Sequence, residues 1–158
     1  MAQKRVESLE ELRDLVGQEI GPTEWREISQ ETINAYADVS GDHQWIHVDV
    51  ERAKRESPFG GTVAHGNLTL SLTDAFRLEL IEQKGVVAGV NYGFDRVRFP
   101  APVPAGSSVR CRAQLQSVEE LDGGWWHVVT RLTIEVEGND KPACVADSVG
   151  RALAAPAG

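Results

Sequence analysis

The chain has 158 residues, a formal net charge of -8, 41% hydrophobic residues and 25% charged residues. That length suits one ordinary domain and is short for two, so 1–158 is expected to form a single unit. The acidic balance argues against a nucleic-acid binder, no apolar run approaches the roughly 20 residues of a membrane helix, and the N-terminus lacks an apolar signal region, so a cytoplasmic protein with no nucleic-acid or membrane partner is expected.

Residues 7–16 read as a first helix. Ser8 with Glu11 forms a capping-box pattern, Leu9, Leu12 and Val16 supply an apolar stripe, and Gly17 can stop it. A short extended piece at 25–28 leads to Ser29, a good N-cap for a helix that carries Ile33, Tyr36 and Ala37 and ends at Gly41. Asp49 is placed to cap a further short helix through Arg55, closed by Pro58-Phe59-Gly60-Gly61. Segment 65–84 is ambiguous at first sight, because Leu68, Leu70 and Leu72 alternate with Thr69, Ser71 and Thr73 as in a strand. Its length without an internal break favours a helix that is apolar on most sides and therefore buried. The second half turns to strands: 89–99, then 108–118, a turn at Asp122-Gly123-Gly124, then 125–137 and 143–152. An antiparallel sheet with one apolar face needs a cover, and the long helix is the element of matching size. The fold class is α+β. Cys111 and Cys144 match no metal or redox spacing and read as buried small side chains in a reducing compartment.

The densest unusual stretch is Ser40-Gly41-Asp42-His43-Gln44-Trp45-Ile46-His47-Val48-Asp49, in a loop between two predicted helices. Gly60-Gly61-Thr62-Val63-Ala64-His65-Gly66 follows and leads into the long helix, and Arg98-Phe99-Pro100-Ala101-Pro102-Val103-Pro104-Ala105-Gly106 ends the first strand of the second half. Taken alone, Asp42 after a helix end also serves simply to cap a turn, and His47 beside Trp45 and Ile46 also packs as a satisfied histidine. Those readings stay open on the residues alone. Together, over about residues 8–150, the three segments resemble the MaoC-like and (R)-specific enoyl-CoA hydratases, and within them the NodN-like branch.

The resemblance implies a hot-dog fold, a long central helix wrapped by a curved antiparallel sheet. It also implies (R)-specific hydration of trans-2-enoyl-CoA, with Asp42 and His47 as the acid–base pair and the Gly66 N–H as oxyanion donor. The chemistry needs these residue types. Water must lose a proton as it attacks the β-carbon, the α-carbon must gain one, and charge on the thioester oxygen needs a fixed donor. Which of the pair takes the proton from water is left open. Gln44 stands where the family usually has Asn, one methylene longer. His65 is expected to brace the loop beside the substrate. Arg96 and Arg98 are candidates for the substrate's phosphates, although each also reads as a solvated surface charge.

No metal or cofactor is expected. His43 and His47 are four apart, but that spacing converges only on a helix, and Gly41 argues for a loop. The expected partners are an acyl-CoA thioester, or its acyl-carrier-protein counterpart, and a second copy in a homodimer. Two rival readings remain: a hot-dog acyl-CoA thioesterase using Asp74 or Glu79 on the long helix, and a non-catalytic thioester-binding subunit, hinted at by Gln44.

Overall fold

A computed structural model describes residues 3–157. The chain opens with β1 (Lys4–Val6) and a 3-10 helix (Glu10–Leu15), followed by β2 (Glu19–Ile20) and β3 (Arg26–Glu27). Three helices then run as α1 (Gln30–Ser40), α2 (Trp45–Val48) and α3 (Val50–Glu56). The long helix α4 (Gly66–Leu80) precedes β4 (Ile81–Gln83), β5 (Val86–Arg98), β6 (Ser108–Glu120), β7 (Trp125–Val136) and β8 (Cys144–Ala154).

The predicted capping pattern near the N-terminus forms, yet it starts a 3-10 helix shorter than the expected 7–16. The Glu11 N–H donates to Ser8 Oγ at 3.3 Å, while the Glu11 carboxylate accepts from the Glu7 N–H rather than from Ser8. Ser29 caps α1 as expected, its Oγ accepting from the Thr32 N–H at 3.1 Å. Gly41 closes α1 at a φ of 79°, a conformation that a side chain makes costly. Asp49 caps α3 through the Arg52 N–H at 3.0 Å. The long helix ends at Leu80, short of the expected 84. Ile81–Gln83 instead pairs in parallel with Lys4–Val6, an association between segments too short and too charged to show a pattern of their own.

The main sheet runs in the order β2-β6-β7-β8-β5, with β3 also pairing β6, and every pairing within it is antiparallel. Strict alternation sets its two faces. Val109, Cys111, Ala113 and Leu115 of β6 and Leu132, Ile134 and Val136 of β7 are buried, with Arg110, Arg112, Arg131 and Glu135 facing the other way. The helix α4 supplies Leu68, Phe76 and Leu80 to the same core, so one curved sheet and one helix share a single apolar layer. Burial pushes the thiols of Cys111 and Cys144 up to about 12 and about 11, which keeps both unreactive.

Candidate active site

The residues 40–48 were expected as a loop, but Trp45–Val48 turns once as α2, and that turn carries His47 into the protein. The His47 side chain is buried, at 7% exposure. Its Nδ1–H donates to the Val63 carbonyl at 2.6 Å, which leaves Nε2 with the lone pair in the neutral ring. The Val63 segment is itself held on both sides. The Val63 N–H donates to the Ile46 carbonyl, the Ala64 N–H to Val103 and the Ala105 N–H to Thr62. The Pro-rich stretch after β5 therefore fixes the carbonyl that orients His47. Behind α2, Gln30 Nε2 donates to the His47 carbonyl at 2.7 Å while its Oε1 accepts from Thr62 Oγ1.

Asp42 both caps a turn and belongs to a side-chain cluster. Its Oδ1 accepts from the Gln44 N–H at 3.2 Å, as a turn-capping Asp would. It also joins a cluster, because one carboxylate oxygen of Asp42, one nitrogen of His47 and one of His65 lie within 4.8 Å of one another. His65 is the link. Its ring stacks on His47 with centroids 3.8 Å apart and planes 25° apart, and its Nε2–H donates to the Asp42 carbonyl at 2.9 Å. That bond leaves His65 Nδ1 buried with no partner among the described residues. Tyr36 closes the other side, its ring centroid 4.8 Å from that of His65.

This set of groups is chemically suited to hold either a cation or a hydrogen-bonded water. His43 takes no part in the cluster. It is exposed and pairs with Asp38 at 3.0 Å, a contact that raises its pKa.

Gly66 is the first residue of α4, so its N–H has no carbonyl to bond within the helix and sits at the positive end of the helix dipole. A Cβ built on it would lie 3.2 Å from the Phe99 ring, so the Gly is also the residue that lets Phe99 lie over the helix start. Gln44 is exposed at the N-terminus of α2, with no side-chain bond to the cap. Arg96 and Arg98 are exposed on β5. Arg96 stands opposite Asp147 of β8, and Arg98 donates to the neighbouring Val97 carbonyl. Neither lies in the histidine cluster. Sequence reasoning missed Gln30, Tyr36, Thr62 and Phe99, all brought in by contacts between distant segments that no local pattern records.

Residues 11–137 match the MaoC-like domain family. The chain is 48% identical over 148 residues to 3-hydroxyacyl-thioester dehydratase Z of Mycobacterium tuberculosis, covering 94% of this chain and 97% of that one. It is 43% identical over 141 residues to nodulation protein N of Rhizobium leguminosarum, covering 89% and 88%. Among solved structures, the R-hydratase PhaJ1 of Pseudomonas aeruginosa superposes with a TM-score of 0.67 at 23% identity, over 88% of this chain and 82% of that one. The chain therefore belongs to the MaoC-like domain family and is a dehydratase-type domain in the hot-dog fold.

Proposed function

We propose that this chain catalyses the reversible addition of water to a trans-2-enoyl thioester, giving the (R)-3-hydroxyacyl thioester, with Asp42 and His47 as its acid–base pair. The observation that carries the reading is the convergence of Asp42, His47 and His65 beside the first free N–H of α4. A water between the Asp42 carboxylate and His47 Nε2 gives up a proton to one of them as its oxygen bonds to the β-carbon. The α-carbon takes a proton from the same pair, and the reverse steps expel water. Negative charge grows on the thioester oxygen in the transition state, where the Gly66 N–H and the helix dipole stabilise it without rearrangement. The name of the mycobacterial relative, a 3-hydroxyacyl-thioester dehydratase, supports the same chemistry in the dehydrating direction.

The carrier is CoA or an acyl carrier protein, with Arg96 and Arg98 as its phosphate contacts. The protein works as a cytoplasmic homodimer paired along β5, an edge strand on which Val87, Val90 and Tyr92 are exposed. Of the carboxylates that a thioesterase reading would use, Glu79 is engaged by Arg26, which weakens that alternative.

The test is loss of enoyl absorbance from crotonyl-CoA and from crotonyl carrier protein, read alongside free thiol. Wild type is expected to consume the double bond without freeing thiol, and Asp42→Asn and His47→Gln each to slow it by about 10²–10⁴-fold while staying folded. Thiol release without loss of the double bond would replace the reading with a thioesterase. Inertness on both carriers would leave a binding subunit.

A further inference from the structure

The helix α2 that carries His47 is a single turn. Its main chain is closed by the His47 N–H donating to the Gln44 carbonyl and the Asp49 N–H to the Trp45 carbonyl, each at 3.0 Å. So short a helix does not fix its own geometry, because the first turn orders more of the chain than its hydrogen bonds repay. The aim of the His47 ring is therefore set from outside α2, and the side chain of Gln30 is placed to set it.

Gln30 is the first residue of α1. Its Nε2 donates to the His47 carbonyl at 2.7 Å and to Asn34 Oδ1 at 2.9 Å, and its Oε1 accepts from Thr62 Oγ1 at 2.5 Å. Two acceptors on one side and a hydroxyl on the other fix which end of the amide is nitrogen. Thr62 is buried and directly precedes Val63, whose carbonyl accepts from His47 Nδ1–H at 2.6 Å. The bonds thus close a ring, from the imidazole to Val63, along the chain to Thr62, across to Gln30 and back to the His47 main chain. Such a ring holds His47 by its Nδ1 and by its backbone together, and so fixes where Nε2 points.

The base of the ring is anchored too. The Gly106 N–H donates to the Ile28 carbonyl at 2.7 Å, the Ile28 N–H to the Ser107 carbonyl at 2.9 Å, and the Ala105 N–H to the Thr62 carbonyl at 3.0 Å. The start of α1 and the Thr62 segment are therefore tied to one stretch, 105–107. Among the described residues Gln30 bonds no ring or carboxylate atom of the Asp42, His47 and His65 cluster. We propose that Gln30 is a positioning residue for the reaction, acting through His47 to aim Nε2 at the reacting water, with Thr62 holding its amide the right way round. The inference rests on the hydratase reading, which makes His47 Nε2 a reacting atom.

The experiment measures kcat and KM on crotonyl-CoA for Gln30→Leu, Gln30→Glu, Thr62→Val and Thr62→Ser, with folding checked by melting temperature. A misplaced acid–base group shows in kcat, so Gln30→Leu is expected to lower kcat by about 10–100-fold with KM within about threefold of wild type. Thr62→Ser keeps the hydroxyl and should stay near wild type. Thr62→Val should lose rate, and should lose little more when combined with Gln30→Leu. Gln30→Glu keeps the shape, but its carboxylate sets an oxygen against the His47 carbonyl until it gains a proton and can donate again. Its kcat relative to wild type should therefore rise as pH falls from about 8 to about 5, while that of Gln30→Leu stays level. Asp42, His47 and His65 are common to all these proteins and cancel in the ratio. A kcat for Gln30→Leu close to wild type, a loss confined to KM, or a level ratio for Gln30→Glu would overturn the proposal. Failure of the hydratase reading is distinguishable, because wild type then turns over no crotonyl-CoA. In that case side-chain nitrogen NMR still reads the positioning, with His47 protonated at Nδ1 in wild type and a mixture of tautomers expected in Gln30→Leu. An unchanged His47 signal would overturn it.

Discussion

Gly66 does two things at once, and a single methyl group separates them. Alanine keeps the backbone N–H proposed to bind the thioester oxygen, but its Cβ would sit 3.2 Å from the Phe99 ring. Gly66→Ala is therefore expected to cost about 1–3 kcal/mol of stability through overpacking. Phe99 is 44% exposed, so Phe99→Ala alone should cost little, and the double variant should recover most of the loss. Urea unfolding of all four proteins measures this, and equal costs of Gly66→Ala in the two backgrounds would show that Phe99 is not the cause. The Gly was legible in the sequence as a helix start; the ring above it was not, because Phe99 arrives from the far end of β5. Asp42 and His47 were legible as a pair, while the residues that hold them were visible only in part. His65 was read as a brace for the loop, and its bond to the Asp42 carbonyl is such a brace. Gln30 and Thr62, which grip His47 from behind, look in sequence like ordinary helix and loop polar residues.

At the scale of elements, legibility followed the strength of the repeating pattern. The strands β6 and β7 alternate cleanly and lie where the alternation puts them, because one of their faces is buried throughout. The helix α4 was legible by length, but its end was not, since the extended run Ile81–Gln83 depends on a partner at residues 4–6. The single turn of α2 is too short for periodicity to reveal. The outward face of the sheet carries its own prediction. Burial alone would raise the pKa of Glu135, but hydrogen bonds from Arg110 and Arg112 outweigh it and hold the group below its ordinary 4.5. The bidentate pairing with Arg131 likewise holds Asp147 below its ordinary 3.8. A carboxylate with a depressed folded-state pKa stabilises the protein above its unfolded value, and that contribution is lost as pH falls through the folded value. Stability should therefore be flat in these two groups at neutral pH and decline below about pH 4.5. Urea midpoints from pH 7 to pH 3 should fall less steeply for Glu135→Gln and Asp147→Asn than for wild type, although both start lower. Parallel slopes would mean that other carboxylates govern the acid limb.

The whole molecule leaves one edge unfinished. The strand β5 is 13 residues long, pairs only with β8, and leaves Val87 61%, Val90 49% and Tyr92 65% exposed. A long apolar edge strand invites pairing with another chain, and soluble proteins normally cover or charge such edges. Here no Lys interrupts Val86–Phe94, so the proposed second copy is what covers it. The other end of the sheet is different in kind, because β2 is only two residues long and carries Glu19 beside Arg112. Sedimentation velocity at micromolar concentration is expected to show a dimer for wild type and a monomer for the paired substitution Val87→Lys with Tyr92→Lys. A control change at Glu19 should leave the dimer intact. A monomeric wild type, or a dimer that survives both lysines, would place the covering surface elsewhere.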